Sequence, residues 1–377
     1  MNDIIKHIQG IIYFWSWNCS IFAGYLLFVP LSILELFTPK FYRQLVDLIV
    51  TFWQYYVTTL IFRQNCKVYV TGDPIQSNEI SLIVSNHRTR VDWNFLWAVM
   101  YHAVQGEGRW WYGTKFVLKN SIRNIPGAGW VMQLAMYIFI KRNWKNDKSV
   151  FDNYIEYVKD NQYKHALILF PEGTDLTSKT LEKSDRYAKN KGLSQYKNVL
   201  HPRTTGFAYL ADEMRKNQCL DAVYDLTLIY PDECPQNEEE LFVKGKFPGK
   251  VVAHLVKYPI AVLPEGQENL KIFLENLWKY KERYITEFRQ RDPTHFQSKL
   301  LSKEGSLTIT RAYLTHIFWM SLLAILTFLV TFSRWYFYIT IMYTIGLYVV
   351  PLFIQLSVFK VRKKFLTLIR GKSIKDK

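Results

Sequence analysis

A histidine and an aspartate lie five residues apart, directly after a short apolar run. The run covers residues 81–85, and His87 and Asp92 follow it. On a regular helix this spacing would place the two side chains on different faces. We therefore predict that His87 lies in a loop and that Asp92 is the N-cap of the next helix. A turn would then bring the carboxylate to the imidazole, where it orients the ring and supports the basicity that a general base needs.

The role of His87 stays open on these residues alone. A single histidine ahead of a helix is more often a structural residue than a catalytic one. A metal site is less favoured, because no third ligand lies nearby in the sequence. The cysteines are scattered without CxxC pairing, which argues against a zinc site or a disulfide framework; they are Cys19, Cys66, Cys219 and Cys234.

A second apolar run, residues 166–170, also ends in a cluster of polar and turn-forming residues. This cluster consists of Pro171, Glu172, Gly173, Thr174 and Asp175. Gly173 permits a tight turn and leaves backbone N–H groups free to hold an anion. Taken alone, however, the segment is typical of an ordinary loop.

Two further segments add cations at similar positions. Lys119 precedes a Pro/Gly-rich stretch, Arg142 follows a predicted strand, and Arg203 lies in a turn punctuated by Pro202 and Gly206. Each is by itself typical of a solvated surface charge. Ligands of open α/β sheets bind beyond the C-terminal ends of the strands. Four such clusters at predicted strand ends therefore indicate one ligand site.

The elements that must position these residues alternate between short β-rich runs and helical runs, from about residue 66 to residue 291. Several of the β-rich runs are continuously apolar, as in strands buried between helix layers. This pattern predicts an α/β domain with a mixed, mostly parallel sheet flanked by helices. The predicted strands are 67–71, 81–85, 110–113, 137–141, 166–170, 223–230 and 251–257. Helical periodicity is clearest from Asn269 onward.

Both ends of the chain are apolar. Residues 11–34 carry no charge and are long enough to cross a bilayer, although a signal peptide or a re-entrant hairpin bent at Pro30 are alternatives. Residues 48–62 form a second uncharged run, which predicts either a short span or an interfacial helix. Residues 313–332 and 335–359 predict a transmembrane helical hairpin.

The charge of the chain restricts its partners. Lys and Arg number 48 against 32 Asp and Glu, which gives a net charge of +16. A basic chain with apolar ends predicts a membrane protein that meets anionic partners. A nucleic acid partner would also account for this charge, but the sequence carries no zinc-finger, basic-zipper or RNA-stacking signature. The basic segment 360–377 follows the hairpin, so the positive-inside rule places this tail and the middle of the chain in the cytosol.

The segment from Asn86 to Asp92, which includes Arg90, resembles the His-x4-Asp block of the glycerolipid (lysophosphatidic acid) acyltransferase family. The other three polar segments resemble the family's remaining blocks, in the same order and at similar spacing, over roughly residues 66–260. Sequence around these blocks is similar to the branch that acts on lysocardiolipin and lysophosphatidylinositol. The resemblance implies the glycerolipid acyltransferase fold, with N-terminal membrane helices and a C-terminal transmembrane hairpin.

The resemblance also implies a reaction. A fatty acyl chain would pass from acyl-CoA to a free hydroxyl of a lysophospholipid, with His87 as general base and Asp92 orienting it. No acyl-enzyme is expected, in line with the absence of a Gly-x-Ser-x-Gly elbow. Acyl-CoA would be a co-substrate, and neither a metal nor another cofactor is expected.

Substrate-binding roles follow from the same resemblance. Glu172, Gly173 and Thr174 match the acceptor-binding block. Lys119, Arg142 and Arg203 match cationic positions that would hold the acceptor's phosphate, a task that suits the arginine fork. Asp175 stands where many relatives carry arginine, and a carboxylate there would repel a phosphate. Lysophosphatidylinositol or lysocardiolipin is therefore expected ahead of lysophosphatidic acid.

Five regions of the chain follow from these features. We predict a membrane anchor region at 1–64, an acyltransferase catalytic domain at 65–292, a linker at 293–311, a transmembrane hairpin at 312–359 and a basic cytosolic tail at 360–377. The resemblance and the topology imply a multi-pass protein of the endoplasmic reticulum membrane. Its partners would be acyl-CoA, lysophospholipid and membrane lipids, without nucleic acid, while protein partners are left open.

Three alternative functions stay open on the sequence. The chain could be a non-catalytic lipid-binding membrane protein on the same scaffold. It could be a transacylase that passes acyl chains between phospholipids without CoA. It could also be a lysophosphatidic acid acyltransferase that makes phosphatidic acid.

Overall fold

A computed structural model of the chain describes residues 2–105, 112–290 and 309–354. The chain divides into two compact units that interleave along the sequence. The first unit consists of Met1–Trp15, Gln54–Thr114 and Lys164–Ala312, and the second of Ser16–Trp53, Lys115–Tyr163 and Tyr313–Lys377. The predicted linker, 293–311, lies mostly outside the described residues. The predicted basic tail, 360–377, lies wholly outside them.

The first unit contains most of the predicted strands. They are β1 (Lys67–Gly72), β3 (Ser81–Ser85), β7 (His165–Leu169), β8 (Ala222–Ile229) and β9 (Lys250–Pro259). These strands neighbour one another in the order β1, β9, β8, β3 and β7. Every neighbouring pair runs parallel except β8 with β9, which is antiparallel. The prediction of a mixed, mostly parallel sheet is therefore confirmed. A separate pair of two-residue strands joins β2 (Ile75–Gln76) to β4 (Val104–Gln105).

The three central strands form the core of this unit. Every residue of β3, β7 and β8 is buried, which explains why most residues of these strands are apolar. The helices that lie wholly in this unit include α4 (Asp92–Ala103), α7 (Ser178–Lys191), α8 (Thr204–Lys216) and α9 (Gln267–Gln290). Helix α9 buries Leu270, Leu274 and Leu277, as its apolar periodicity predicted.

Half of the predicted strand at 110–113 lies outside the described residues, and its described half overlaps a strand only at Gly113. The observed strand, β5 (Gly113–Lys119), begins where the predicted one ends, and residues 106–111 lie outside the described part of the chain. The lysine at position 115 obscured this strand in the sequence. Lys115 is fully buried, and its ammonium group contacts the carboxylate of Asp47 at 2.8 Å. A charge that is paired in the core no longer indicates an exposed position.

Strand β5 ends in the second unit, where it pairs in parallel with β6 (Ile138–Ile140). The described helices of the second unit include α2 (Leu34–Phe37), α5 (Ala128–Leu134) and α6 (Trp144–Asn161). A second buried ion pair lies here, between Arg43 and Glu35 at 2.6 Å. The hydroxyl of Tyr157 accepts a hydrogen bond from Arg43 and donates one to Glu35.

Among the described residues, three helices are long and apolar enough to cross a membrane, over Asp3–Leu31, Pro39–Arg63 and Tyr313–Phe332. They belong to α1 (Asn2–Leu31), α3 (Pro39–Arg63) and α10 (Ile309–Phe332). Helix α1 runs without interruption to Leu31, so Pro30 stands at its end and bends no hairpin within it. The uncharged run 48–62 is the second half of α3, whose first half carries the buried charges of Arg43 and Asp47. The second half of the predicted hairpin is helical as α11 (Arg334–Ile354), and residues 355–359 lie outside the described part.

Candidate active site

The loop that bears His87 is fastened at its start by an asparagine. The side-chain amide of Asn86 donates to the carbonyl of Leu228 at 2.9 Å, and its oxygen accepts from the N–H of Leu228 at 2.8 Å. This double hydrogen bond ties the end of β3 to the neighbouring β8. His87 is thereby placed at the C-terminal edge of the sheet, where ligands of such folds bind.

The predicted pairing of His87 with Asp92 is confirmed. Nδ1 of His87 lies 2.9 Å from Oδ2 of Asp92. A carboxylate accepts hydrogen bonds, so Nδ1 is the donor and Nε2 is left as the basic nitrogen. The Asp92 side chain is fully buried, whereas 19% of the His87 side chain is exposed. The imidazole can therefore meet a ligand while its carboxylate partner stays out of water.

The predicted N-cap position of Asp92 was wrong by one residue. Helix α4 begins at Asp92 itself, and Val91 precedes it without a capping side chain. The Asp92 carboxylate accepts from the backbone N–H of Thr89 at 3.1 Å, which lies behind it in the chain. Because that bond points into the loop and not along the helix, it closes the turn that brings Asp92 to His87.

Asp92 has one more donor, which the sequence analysis missed. The hydroxyl of Tyr230 donates to Oδ1 of Asp92 at 2.7 Å. Tyr230 directly follows β8, the strand beside β3. Burial raises the pKa of Tyr230 well above its ordinary value, so the hydroxyl keeps its proton. Its position after a buried strand beside β3 is the one signal that could have marked it.

Glu172 was predicted to bind the acceptor, and the structure places its carboxyl group inside the protein. Glu172 is only 4% exposed. Its Oε1 accepts from the backbone N–H of His87 at 3.3 Å and from the indole N–H of Trp278 at 3.1 Å. Burial raises the pKa of Glu172 to about 8. These contacts favour a role for Glu172 in supporting the His87 loop.

Helix α9 contributes to the site from outside the predicted motifs. Trp278 and Lys281 are both fully buried, and the Lys281 ammonium lies 5.2 Å from the centre of the Trp278 ring. Lys281 pairs with Asp225 and donates to the carbonyl of Leu226 at 2.6 Å. In the sequence Trp278 belongs to the apolar stripe of this helix, so nothing in the pattern separated it from ordinary core positions, and Lys281 is typical of an exposed position.

Two of the predicted segments meet at Gly173 and Arg203. Gly173 has a φ of +74°, and a Cβ there would lie 3.3 Å from Nε of Arg203. The backbone N–H of Arg203 donates to the carbonyl of Pro171 at 2.8 Å. Arg203 itself is exposed. A glycine in this turn therefore leaves room for an accessible guanidinium group directly beside the Glu172 loop.

The remaining residues of these blocks have local contacts. The hydroxyl of Thr174 donates to Asp175 at 3.2 Å, and the Asp175 carbonyl accepts from Thr180. Arg90 is exposed and lies 3.4 Å from Glu238 across the surface. Two flanking residues complete the Arg203 segment: Pro202 in the turn before it and Gly206 in the first turn of α8.

Lys119 and Arg142 belong to the second unit. Lys119 is the last residue of β5. Arg142 follows β6 with a φ of +60°. Both side chains are exposed, as a residue that binds a ligand phosphate must be. Their predicted part in phosphate binding stays a prediction.

Comparison with known proteins identifies relatives that cover most of the chain. A family model described as Acyltransferase matches residues 67–231. Lysocardiolipin acyltransferase 1 of Gallus gallus is 37% identical over 84% of this chain and 85% of its own length. Lysophosphatidylinositol acyltransferase 10 of Caenorhabditis elegans is 35% identical over 71% of this chain and 68% of its own. Probable 1-acyl-sn-glycerol-3-phosphate acyltransferase 5 of Arabidopsis thaliana is 30% identical over 83% of this chain and 80% of its own length. The family match includes His87, Asp92 and Tyr230 and ends before Trp278.

Proposed function

Because the chain belongs to the acyltransferase family, we propose that it transfers a fatty acyl chain from acyl-CoA to a free hydroxyl of a lysophospholipid. The observation that carries this proposal is the His87–Asp92 pair at 2.9 Å, with a partly exposed ring and a fully buried carboxylate. A neutral imidazole oriented in this way is suited to accept a proton from an alcohol.

The reaction needs one proton to move twice. Nε2 of His87 takes the proton of the acceptor hydroxyl while its oxygen attacks the thioester carbonyl carbon. Asp92 stabilises the imidazolium that forms. The tetrahedral intermediate then expels the CoA sulfur, which receives the proton from His87, and the products are an ester and free CoA. General-base assistance of this kind contributes about 10² to 10⁴-fold to the rate.

The acceptor is proposed to carry a phosphate, and lysophosphatidylinositol or lysocardiolipin fits best. The names of two relatives, lysocardiolipin acyltransferase 1 and lysophosphatidylinositol acyltransferase 10, support this choice. The exposed guanidinium of Arg203 beside Gly173 supports phosphate binding, because its fork matches phosphate oxygens. The resemblance of their segments to the family's blocks adds Lys119 and Arg142 as proposed phosphate-binding residues.

The proposed location is the endoplasmic reticulum membrane, with the catalytic residues facing the cytosol, where acyl-CoA is available. Three apolar helices of membrane-crossing length support a membrane location. The cytosolic orientation rests on the basic residues of the segment 360–377.

The proposal is tested by acyl transfer from labelled oleoyl-CoA in microsomes that express the chain. Acceptors are lysophosphatidylinositol, monolysocardiolipin, lysophosphatidic acid and lysophosphatidylcholine, and free CoA is measured together with the lipid product. His87→Ala microsomes with equal protein content are the blank. We expect one anionic acceptor to exceed the blank, with one CoA released for each ester formed.

Two results would contradict the proposal. Labelled lipid formed from a phospholipid donor without release of CoA would indicate a transacylase. No product above the blank with any acceptor, while the protein is folded, would indicate a non-catalytic lipid-binding protein.

A further inference from the structure

Asp92 is held by more donors than its pairing with His87 requires. Its Oδ2 accepts from Nδ1 of His87 and from the backbone N–H of Thr89, at 2.9 and 3.1 Å. Its Oδ1 accepts from the Tyr230 hydroxyl at 2.7 Å. A fully buried carboxylate is strongly unfavourable unless donors surround it. Removing any one of the three donors therefore changes how strongly the carboxylate attracts the others.

Tyr230 is fixed in the direction that this contact needs. Its ring is 6% exposed and packs edge-on against Phe95 of α4, with ring centres 5.7 Å apart. Helix α4 also carries Asp92, so one helix holds both the ring and the carboxylate that its hydroxyl reaches. The phenol is a donor by both geometry and protonation, because burial raises its pKa and keeps its proton in place.

We propose that Tyr230 is a positioning residue for acyl transfer: its hydroxyl completes the donor set of Asp92 and fixes the orientation of that carboxylate toward His87. The proposal rests on the proposed function, since it assigns Tyr230 to the same reaction. Tyr230 holds Oδ1 of Asp92, which keeps Oδ2 facing Nδ1 of His87. Without this donor the carboxylate loses that fixed orientation, so the imidazolium that forms during acyl transfer is less well supported.

Other titratable groups face this pair and set the pH range of a test. Cys234 lies near Asp92, and burial raises the pKa of its thiol to about 12. Glu172 contacts the His87 backbone with a pKa raised to about 8, and Arg88 lies near Cys234. Between pH 5 and 7 the Cys234 thiol and the Tyr230 phenol keep their protons, and the Glu172 carboxyl is mostly protonated. Changes in that range therefore report on His87 and Asp92.

The first test compares Tyr230→Phe with Tyr224→Phe. Tyr224 is also fully buried and lies on β8, but its hydroxyl donates to Glu79 at 2.8 Å and not to Asp92. For Tyr230→Phe we expect kcat to fall about tenfold, as for loss of a hydrogen bond to a charged group. The KM for acyl-CoA should stay within about twofold. The midpoint of the acid limb of the pH–rate profile should move down by about half a unit, because a less well supported imidazolium loses its proton more readily.

A second readout needs no substrate. Diethyl pyrocarbonate modifies neutral imidazole, and its rate at His87 is followed against pH by mass spectrometry of the peptide. Its midpoint should move in the same direction in Tyr230→Phe and stay in place in Tyr224→Phe. This readout separates the role of Tyr230 from the proposed function, because the shift can be observed even when acyl-CoA is not the donor. Absence of acyl transfer by the wild-type protein would count against the proposed function alone.

A graded donor guards against a variant that fails to fold. 3-Fluorotyrosine placed at position 230 keeps the shape of Tyr230 and makes the hydroxyl a stronger donor, so Oδ1 of Asp92 stays held. The midpoint for modification of His87 should then stay at or above its wild-type value, unlike in Tyr230→Phe. A purely structural role would move both variants alike. An unchanged midpoint in Tyr230→Phe, a downward movement in both variants, or a kcat loss no larger than that of Tyr224→Phe would overturn the proposal.

Discussion

Two buried aspartates, one in each unit, are held by nearly the same donors and serve different ends. Asp92 accepts from the Tyr230 hydroxyl at 2.7 Å and from Nδ1 of His87 at 2.9 Å. Asp47 accepts from the Tyr163 hydroxyl at 2.7 Å and from Nζ of Lys115 at 2.8 Å. In each case a tyrosine and a basic side chain satisfy a carboxylate that water does not reach.

The difference lies in the basic partner. Lys115 has no exposed surface, whereas 19% of His87 is exposed. The ammonium group of Lys115 can only donate hydrogen bonds and stays in the core, while the imidazole of His87 has a second nitrogen on the far side of the ring. A buried carboxylate with a tyrosine donor therefore does not mark an active site by itself. An active site also needs a basic partner, such as His87, that contacts the carboxylate on one side and can contact a ligand on the other.

The largest loss of activity is expected when His87 is removed. We expect His87→Ala to lower kcat by about 10² to 10⁴-fold, the usual contribution of a general base. His254→Ala is the matched control, because His254 is half-buried on β9 and stacks on Tyr284 away from Asp92. Initial rates of acyl transfer measure both variants at equal folded protein. Near wild-type turnover in folded His87→Ala would end the general-base assignment.

The same substitution at the two aspartates should affect different properties. It should lower activity at Asp92 and stability at Asp47. Asp92→Asn keeps the shape and removes the charge, so we expect kcat to fall by about 10²-fold with a smaller change in stability. Asp47→Asn leaves Lys115 buried without its counter-ion, which typically costs about 3 kcal/mol or more of stability. Thermal unfolding in detergent and acyl transfer per folded molecule separate the outcomes. Equal loss of activity in both variants would contradict the distinction between the two aspartates.

The buried Glu172 carboxyl should make the stability of the fold depend on pH. Its pKa is raised from 4.5 to about 8 in the folded chain. Such a group stabilises the fold fully below pH 4.5, and this contribution is lost as pH rises toward 8. Glu172→Gln resembles the protonated acid and does not titrate. We therefore expect wild-type stability to decline relative to Glu172→Gln between pH 5 and 8.

Unfolding midpoints measured across that pH range test the prediction. The control is Glu182→Gln, an exposed position on α7, where no such difference is expected. A constant difference between wild type and Glu172→Gln at every pH would show that the carboxyl titrates no differently in the folded chain.

The smallest effect is expected at Arg203, which binds substrate in our proposal without taking part in proton transfer. Arg203→Ala should raise the KM for the acceptor by about tenfold, the value of one charge-assisted contact, and leave kcat within about twofold. Lys216→Ala removes another exposed cation of the same unit and serves as control. Steady-state kinetics with varied acceptor at saturating acyl-CoA measure both. An unchanged acceptor KM would remove Arg203 from the phosphate site.

Most of the sheet followed from local patterns. Strand β3 was predicted with its observed bounds, β1 ends one residue later than predicted, and β7 and β8 each begin and end one residue earlier than predicted. Runs buried on both faces are mostly apolar, so their hydrophobicity indicates them without tertiary information. The prediction failed for β5, where a buried lysine looks in sequence like a surface residue until its partner Asp47 is known.

The contacts of the candidate site were likewise predictable where they are local in sequence and not where they join distant residues. His87 and Asp92 were predictable because five residues of one loop and turn bring them together. The burial of Glu172 was not, since it depends on Trp278, which follows it by 106 residues. Tyr230 reaches Asp92 across 138 residues for the same reason.

Resemblance to a known family indicated that this protein is an acyltransferase, and the sequence alone determined an α/β domain with apolar ends and a histidine–aspartate pair after a buried strand. Those features depend on hydrophobic periodicity, turn-forming residues and spacing within about ten positions, which are local properties of the chain. Only the tertiary structure decided which polar residues support the pair and which can meet a ligand. Burial and hydrogen-bond partners arise from packing between distant segments, and the spacing of residues along one segment carries no record of what packs against it.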